Sequence, residues 1–253
     1  MDLPYSNGLD WSPDSQSIAY PNWNPVKSRP AIVIRDVQTS VEREIDLPLA
    51  EPIRTLRWSR EAGILIAPEV SQLQLVGLDQ TSVKPLQISA RWGIAEWASD
   101  GLTAFVAGKG NVHEVDIATG NVSQTYKVPI EDIMVLSSIQ KLVASRNEVN
   151  RMFEIQVAAF DESTSRTLLS SGRDCHPAGF WKRQVFVACQ GDSGMSESSS
   201  LYLVDVDSGT IRGLNVNLPR VKQVRVRPDD QAIAIISGIT EFGATFTLKL
   251  PSK

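Results

Sequence analysis

The chain has 253 residues, 42% of them hydrophobic and 21% charged, which is ample material for the core of a single all-β unit. A net charge of -4 and a pI near 5.3 argue against a nucleic-acid binder, which carries a basic face and a high pI. No apolar run approaches the ~20 residues of a membrane-spanning helix, and the polar, proline-bearing residues 1–8 lack the charged start and apolar centre of a signal peptide, so a soluble domain is expected.

In chain order, one pattern recurs. Leu9-Asp10-Trp11 opens a turn at Ser12-Pro13-Asp14; the apolar run 18–20 follows, then an aliphatic run ending at Arg35-Asp36 and a turn, then a fourth run at 42–45. The order repeats with Leu56-Arg57-Trp58, 64–67, Leu78-Asp79 and 83–86, and again with Glu96-Trp97, 104–107, Val115-Asp116 and 122–126. It continues with Met134-Val135-Leu136, 141–144, Phe160-Asp161 and 166–169, then with Gly179-Phe180-Trp181, 185–188, Val204-Asp205 and 210–214. The last instance, Val224-Arg225-Val226 with 232–236 and 245–250, runs out after its third strand. With Trp11, Trp58, Trp97, Leu136, Trp181 and Val226 taken as equivalent, successive gaps are 47, 39, 39, 45 and 45, and four of the six tryptophans occupy this slot.

Four short antiparallel strands in ~40–45 residues form a sheet that cannot bury both faces alone, so such units must pack face to face in a ring. The expected fold is all-β with almost no helix. It is a single six-bladed propeller over 1–253, with four-stranded blades at about 9–48, 49–89, 90–129, 130–172, 173–219 and 220–253. The last blade is incomplete, and residues 1–5 are the available donor of its missing strand. Asp36, Asp79, Asp116, Asp161 and Asp205 recur at one turn and read as turn formers rather than as a carboxylate set.

Ser12-Pro13-Asp14-Ser15, followed by 18–20 and 31–36, resembles the TolB-like, WD40-like propeller repeat: tryptophan-serine-proline-aspartate-glycine, an apolar strand, then an aliphatic strand ending in aspartate. Arg227-Pro228-Asp229-Asp230 and Ser99-Asp100-Gly101 fit the same pattern, which spans essentially the whole chain and degenerates in the second, fourth and fifth units. The resemblance implies a propeller and leaves function open, because propellers host scaffolds, sensors, lectins and enzymes. TolB itself binds a lipoprotein partner, and similar propellers form the sensory half of bacterial membrane-anchored transcriptional regulators.

Cys189-Gln190-Gly191-Asp192-Ser193-Gly194 copies the surroundings of a trypsin-like nucleophile, but that chemistry needs a histidine and an orienting carboxylate in context. Only His113 and His176 exist, neither in such a context, so the match reads as coincidence; no catalytic residue, metal or cofactor is expected. The long stretches 21–30 and 191–200, both between second and third strands, place a binding face in one sector of the ring. Its candidate residues are Trp23, Asn22, Asn24, Lys27, Arg29, Trp92, His176, Asp192 and Glu197, with Trp23 as the anchor.

Cys175 and Cys189 fall across from each other on neighbouring strands; two free half-buried thiols are favoured over a disulfide, which would imply an extracytoplasmic setting. The expected role is a non-enzymatic, monomeric binding or scaffold module for a protein or peptide, with no nucleic-acid contact and no membrane span. The alternative is a ligand-sensing domain of a larger bacterial regulator, which needs a pocket at the channel mouth. An enzyme would need carboxylates or histidines converging on the channel, and no such set is evident from the sequence. The compartment is periplasmic if the domain belongs to a larger protein and cytoplasmic otherwise.

Overall fold

Asp- and Gly-bearing turns cut the chain into short apolar segments, and each segment pairs with the next. The computed structural model describes residues 8–24, 26–68, 72–77, 82–89, 94–191, 198–237 and 244–249. Among them there is no helix. The first sheet is β1 (Asp10–Trp11), β2 (Ser17–Asn24), β3 (Arg29–Asp36) and β4 (Glu42–Asp46); the second is β5 (Ile53–Ser59), β6 (Gly63–Pro68), β7 (Gln72–Val76) and β8 (Val83–Ser89). The third is β9 (Ala95–Trp97), β10 (Thr103–Gly108), β11 (Asn111–Asp116) and β12 (Val122–Lys127). The fourth is β13 (Val135–Ser137), β14 (Leu142–Val149), β15 (Met152–Ala159) and β16 (Arg166–Ser171). The fifth is β17 (Cys175–Trp181), β18 (Gln184–Gln190), β19 (Ser198–Asp205) and β20 (Ile211–Pro219). The sixth has three described strands, β21 (Val221–Val226), β22 (Ala232–Ser237) and β23 (Ala244–Lys249). The expected strand donor, residues 1–5, lies outside the described residues.

Every sheet is an antiparallel meander whose first strand is innermost. β1, β5, β9, β13, β17 and β21 each touch the next, and β21 touches β1. The core is divided accordingly. Ile32, Leu56 and Ile66 fill the space between the first two sheets; Leu65, Leu73 and Val106 the next; Phe105, Val143 and Phe160 the third. Ile155, Val187 and Val204 follow, then Phe186, Leu201 and Val224, and Leu9, Trp11 and Ala234 join the sixth sheet to the first. The second strands β6, β10, β18 and β22 are apolar because both of their faces lie in such a wedge.

The recurring turns are chemical copies. Asp36 accepts from Thr39 N at 2.7 Å, Asp116 from Thr119 N at 2.7 Å and Asp205 from Ser208 N at 2.8 Å. Four residues after each aspartate the chain enters the left-handed region, at Ser40 (φ 60°), Gly120 (75°) and Gly209 (70°). Asp161 departs from the set: its turn is closed instead by Glu162, whose carboxylate accepts from Ala159 N at 2.8 Å. Asp79 lies outside the described residues.

Two sequence expectations need correction. The slot residue of the fifth sheet is Phe180, which packs back towards the fourth sheet as Trp58 and Trp97 pack towards their predecessors, whereas Trp181 packs forward onto the sixth. The cause is a two-residue turn, with Trp181 paired to Gln184, that shifts the frame by one. Cys175 and Cys189 are also not free thiols. They face each other in the β17–β18 register and form a disulfide with Cα atoms 4.0 Å apart, both nearly fully buried.

Candidate functional site: the mouth of the central channel

The residue one place before the aromatic slot faces the axis, because successive side chains on a strand alternate between faces. In four sheets this residue is charged: Asp10 on β1, Arg57 on β5, Glu96 on β9 and Arg225 on β21. Arg225 reaches across to Glu96, with Nη1–Oε1 at 2.7 Å and Nη2–Oε2 at 2.9 Å, a bidentate pair between the third and sixth sheets, which stand opposite each other in the ring. Arg57 Nε donates to Glu96 Oε1 at 2.7 Å and its Nη1 to Leu56 O at 2.6 Å. Asp10 accepts from Trp58 N at 2.8 Å and stands 3.5 Å from Arg225 Nε, an ion-pair rather than a hydrogen-bond distance. The aromatic slot braces the same groups: Trp11 Nε1 donates to Arg225 O (3.2 Å) and Trp97 Nε1 to Arg57 O (3.1 Å).

The four side chains keep only 6–17% of their surface exposed, and their titration reflects that. Burial pushes the Asp10 carboxyl up despite the opposing Arg225 and Arg57 charges. Burial also pushes Glu96 up, but Arg225 and Arg57 together outweigh it and hold this carboxyl below its ordinary value. Arg57 is lowered by burial and then by Arg225. For Arg225 burial is outweighed by Glu96 and Asp10, which raise it.

This layer closes the channel on one side of a cavity of about 480 Å³, counted with its open mouth. Two residues earlier in the chain, Thr55 on β5, Ile94 just before β9 and Gln223 on β21 form the wall above it, and Lys222 joins them. Burial, then Arg220, lowers Lys222 below the ordinary lysine value. The opposite wall is apolar and comes from the fourth and fifth sheets: Met134, Val135, Leu136, Pro177 and Ala178. Gly179 completes the fifth sheet's contribution. A Cβ there would stand 2.3 Å from Val224 O, so only glycine lets β17 approach β21 this closely.

The expected binding loop takes another form. Pairing continues outward through Pro21↔Ile32, Asn22↔Ala31, Trp23↔Pro30 and Asn24↔Arg29, so this stretch is an extended hairpin with 26–28 at its tip, not a long loop. Trp23 is half-buried on its edge and Asn22 exposed. Asn24 donates to Glu44 at 2.8 Å and caps the tip through Val26 N and Lys27 N. Lys27 and Arg29 both meet Asp46. β14–β15 forms a second hairpin of equal length that the sequence reading passed over, turned by Asn150 (φ 52°) and Arg151 (φ 65°). His176 lies in β17 rather than on a loop: its Nε2 is 2.8 Å from Val221 O, and burial lowers its pKa. Trp92, Asp192 and Glu197 lie outside the described residues.

Both hairpin tips point to the face on which the cavity opens, since the innermost strands begin where second strands end. The sequence signal for the axial layer was the column before the aromatic slot, which is charged in four units of six. It went unread because each charge looked solitary along the chain. Carboxylates do therefore converge on the channel, but arginines occupy them. Among the described residues no trio of His, Cys, Asp or Glu is placed to hold a metal. His113 lies in the third sheet, its Nδ1 2.9 Å from Thr125 Oγ1, remote in the ring from the stretch beginning at Gly191.

The sequence matches no protein-family model, and no curated protein resembles it significantly. Solved structures do resemble the fold. Regucalcin from Agrobacterium tumefaciens, described as a calcium-binding protein, aligns at TM-score 0.65 and 13% identity over 98% of this chain and 90% of its own. The Neurospora crassa Pan2 WD40 domain aligns at 0.60 and 9% over 98% and 90%. TolB from Acinetobacter baumannii aligns at 0.58 and 18% over 81% of this chain, which spans about half of that protein. At these identities the likeness establishes the architecture, an all-β propeller, and nothing about activity.

Proposed function

We propose that the chain is a six-bladed, TolB-like propeller with blade boundaries near 48, 89, 129, 172 and 219, acting as a non-enzymatic module that docks a protein or peptide on its cavity-bearing face. The observation that carries this reading is the pair of hairpins, β2–β3 and β14–β15, that extend from opposite sides of the ring towards that one face. Val26 is 92% exposed at one tip, and Val149 and Met152 are exposed at the other. Trp23, half-buried behind the first of these tips, is of the residue type in which binding hot spots are enriched. The likeness to WD40 domains such as that of Pan2 supports a scaffold role.

The test is co-purification of partners with the intact chain, with Trp23→Ala and with Met152→Asp. Loss of the same partner from both variants, with the melting temperature kept, is the expected result. Recovery of every partner by both variants would remove this face as the docking surface.

A second reading, the ligand-sensing domain of a larger regulator, is favoured by the cavity at the channel mouth. Its lining combines apolar side chains with a few convergent polar groups, as small-molecule sites do. The buried disulfide supports an extracytoplasmic setting for either reading.

A further inference from the structure

The β14–β15 hairpin leaves one edge of its first strand open. Asn150 and Arg151 close it as a two-residue turn, so Val149, Asn147 and Ser145 exchange backbone bonds with β15. Bonding direction alternates along an antiparallel strand, so Ala144, Arg146 and Glu148 direct their N–H and C=O groups to the other side. There Ala144 O accepts from Met134 N at 3.0 Å. Further out β13 supplies nothing, because Ile130 and Ile133 in its lead-in turn into the wedge against the third sheet. Among the described residues, the Arg146 carbonyl has only Ser145 Oγ, at 3.4 Å, and no backbone group bonds the Arg146 N–H or either main-chain group of Glu148.

Neighbouring sheets fill the same places. Ala107 N, which corresponds to Arg146 N, donates to Ile94 O at 2.9 Å, and Gln190 N, which corresponds to Glu148 N, donates to Asp174 O at 2.9 Å. On the other hairpin Ser17 and Ala19 direct their bonds to β1, so Pro21 presents the same edge and has no N–H to offer. A bare strand edge is a template for another strand. Asn147, Glu148 and Val149 are exposed along it. The Glu148 carboxylate has no partner among the described residues, whereas Arg146, on the same face, is held by Asp174 and lies over Phe153. On the opposite face Val149 stands across from Met152, both exposed.

From this arrangement we infer that the open edge of β14 at 146–148 takes an extended segment of the docked partner as an added strand, with a basic residue beside Glu148 and an apolar neighbour on the Val149 face. Side chains alternate along a strand, so the two requirements fall on consecutive residues of the segment. Main-chain bonds to Arg146 and Glu148 supply affinity, and the two side chains supply selectivity. The assignment rests on the docking reading and names its mode of recognition.

The test follows amide hydrogen exchange in the intact chain by NMR, with an acetylated and amidated Thr-Thr-Val-Lys-Val-Thr-Thr peptide as probe. At millimolar peptide the Arg146 and Glu148 amides should exchange about tenfold more slowly, with Ala144 unchanged. Replacing the peptide's lysine by glutamate should weaken binding roughly threefold or more, and Glu148→Lys should invert that order. Glu148→Pro removes a donor on the open side and leaves the bonds of Asn147 and Val149 to β15, so it should abolish the protection with the melting temperature kept. Peptide-induced shifts at Val149 and Met152 without protection of the two amides, or an order unchanged by Glu148→Lys, overturn strand addition and leave the docking face standing. No response on either hairpin, together with recovery of every partner by Trp23→Ala and Met152→Asp, overturns both.

Discussion

Asp36, Asp116 and Asp205 do identical work in three sheets, each accepting backbone N–H groups at the head of its turn. In all three, the turn hydrogen bonds hold the carboxyl below its ordinary value. A carboxylate lowered on folding adds stability above its unfolded pKa, near 4, and that contribution is lost as pH falls through the lowered folded value. The melting temperature should therefore fall steeply below about pH 4. Asp116→Asn and Asp205→Asn, which keep the acceptor but cannot titrate, should each flatten that acid limb; thermal melts from pH 5 to 2.5 decide it, and an unchanged limb in the double variant rejects the assignment. These turns were legible in the sequence because aspartate followed three residues on by threonine or serine specifies one local geometry without help from the rest of the fold, with glycine in the left-handed place in two of them and Ser40 in the third. Asp161 shows the limit of that legibility. The same residue at the same repeat position does not cap, because Glu162 beside it reaches back and closes the turn first.

Strand lengths, unlike turns, are decided between neighbours. Pro21 and Pro30 read as loop residues, yet each sits in a paired strand of the first hairpin. Proline is tolerated where its missing N–H faces away from a ladder partner. The β14–β15 hairpin carries polar residues on its outer half, which reads as loop until the partner strand supplies the backbone hydrogen bonds. The Cys175–Cys189 bridge has the same origin: register places the two cysteines face to face, while spacing alone left the pairing open. It closes a loop with a sequence separation of 14. Cys175→Ala with Cys189→Ala should therefore cost about 3 kcal/mol in urea unfolding, on chain-entropy grounds for a loop of this size. Denaturation without reductant should expose no alkylatable thiol by mass spectrometry, and one labelled cysteine would refute the bridge.

At the scale of the whole molecule, burial is shared. No sheet owns a core, and each wedge is filled from two sides, the last by Leu9 and Trp11 against Ala232, Ala234 and Ile236. This plan was readable from the recurrence of one tryptophan slot, which is a property of the repeat and needs no contact information. The axial layer was not readable in the same way, since Arg225 and Glu96 are 129 positions apart and meet only when the ring has formed. Glu96→Ala strands two guanidiniums in a buried layer. It should destabilise the chain by about 3–5 kcal/mol, the usual cost of removing one partner from such a group; urea unfolding measures it, and a loss under 1 kcal/mol would show that water repairs the site. The Arg225–Glu96 bridge also works as a tie-rod across a wheel. A hoop of wedges flattens easily along a diameter, and a rigid strut along one diameter opposes that flattening. It also makes the hub a dead end, so whatever enters from the hairpin side must leave the same way, and a docked partner on that side would shut it in.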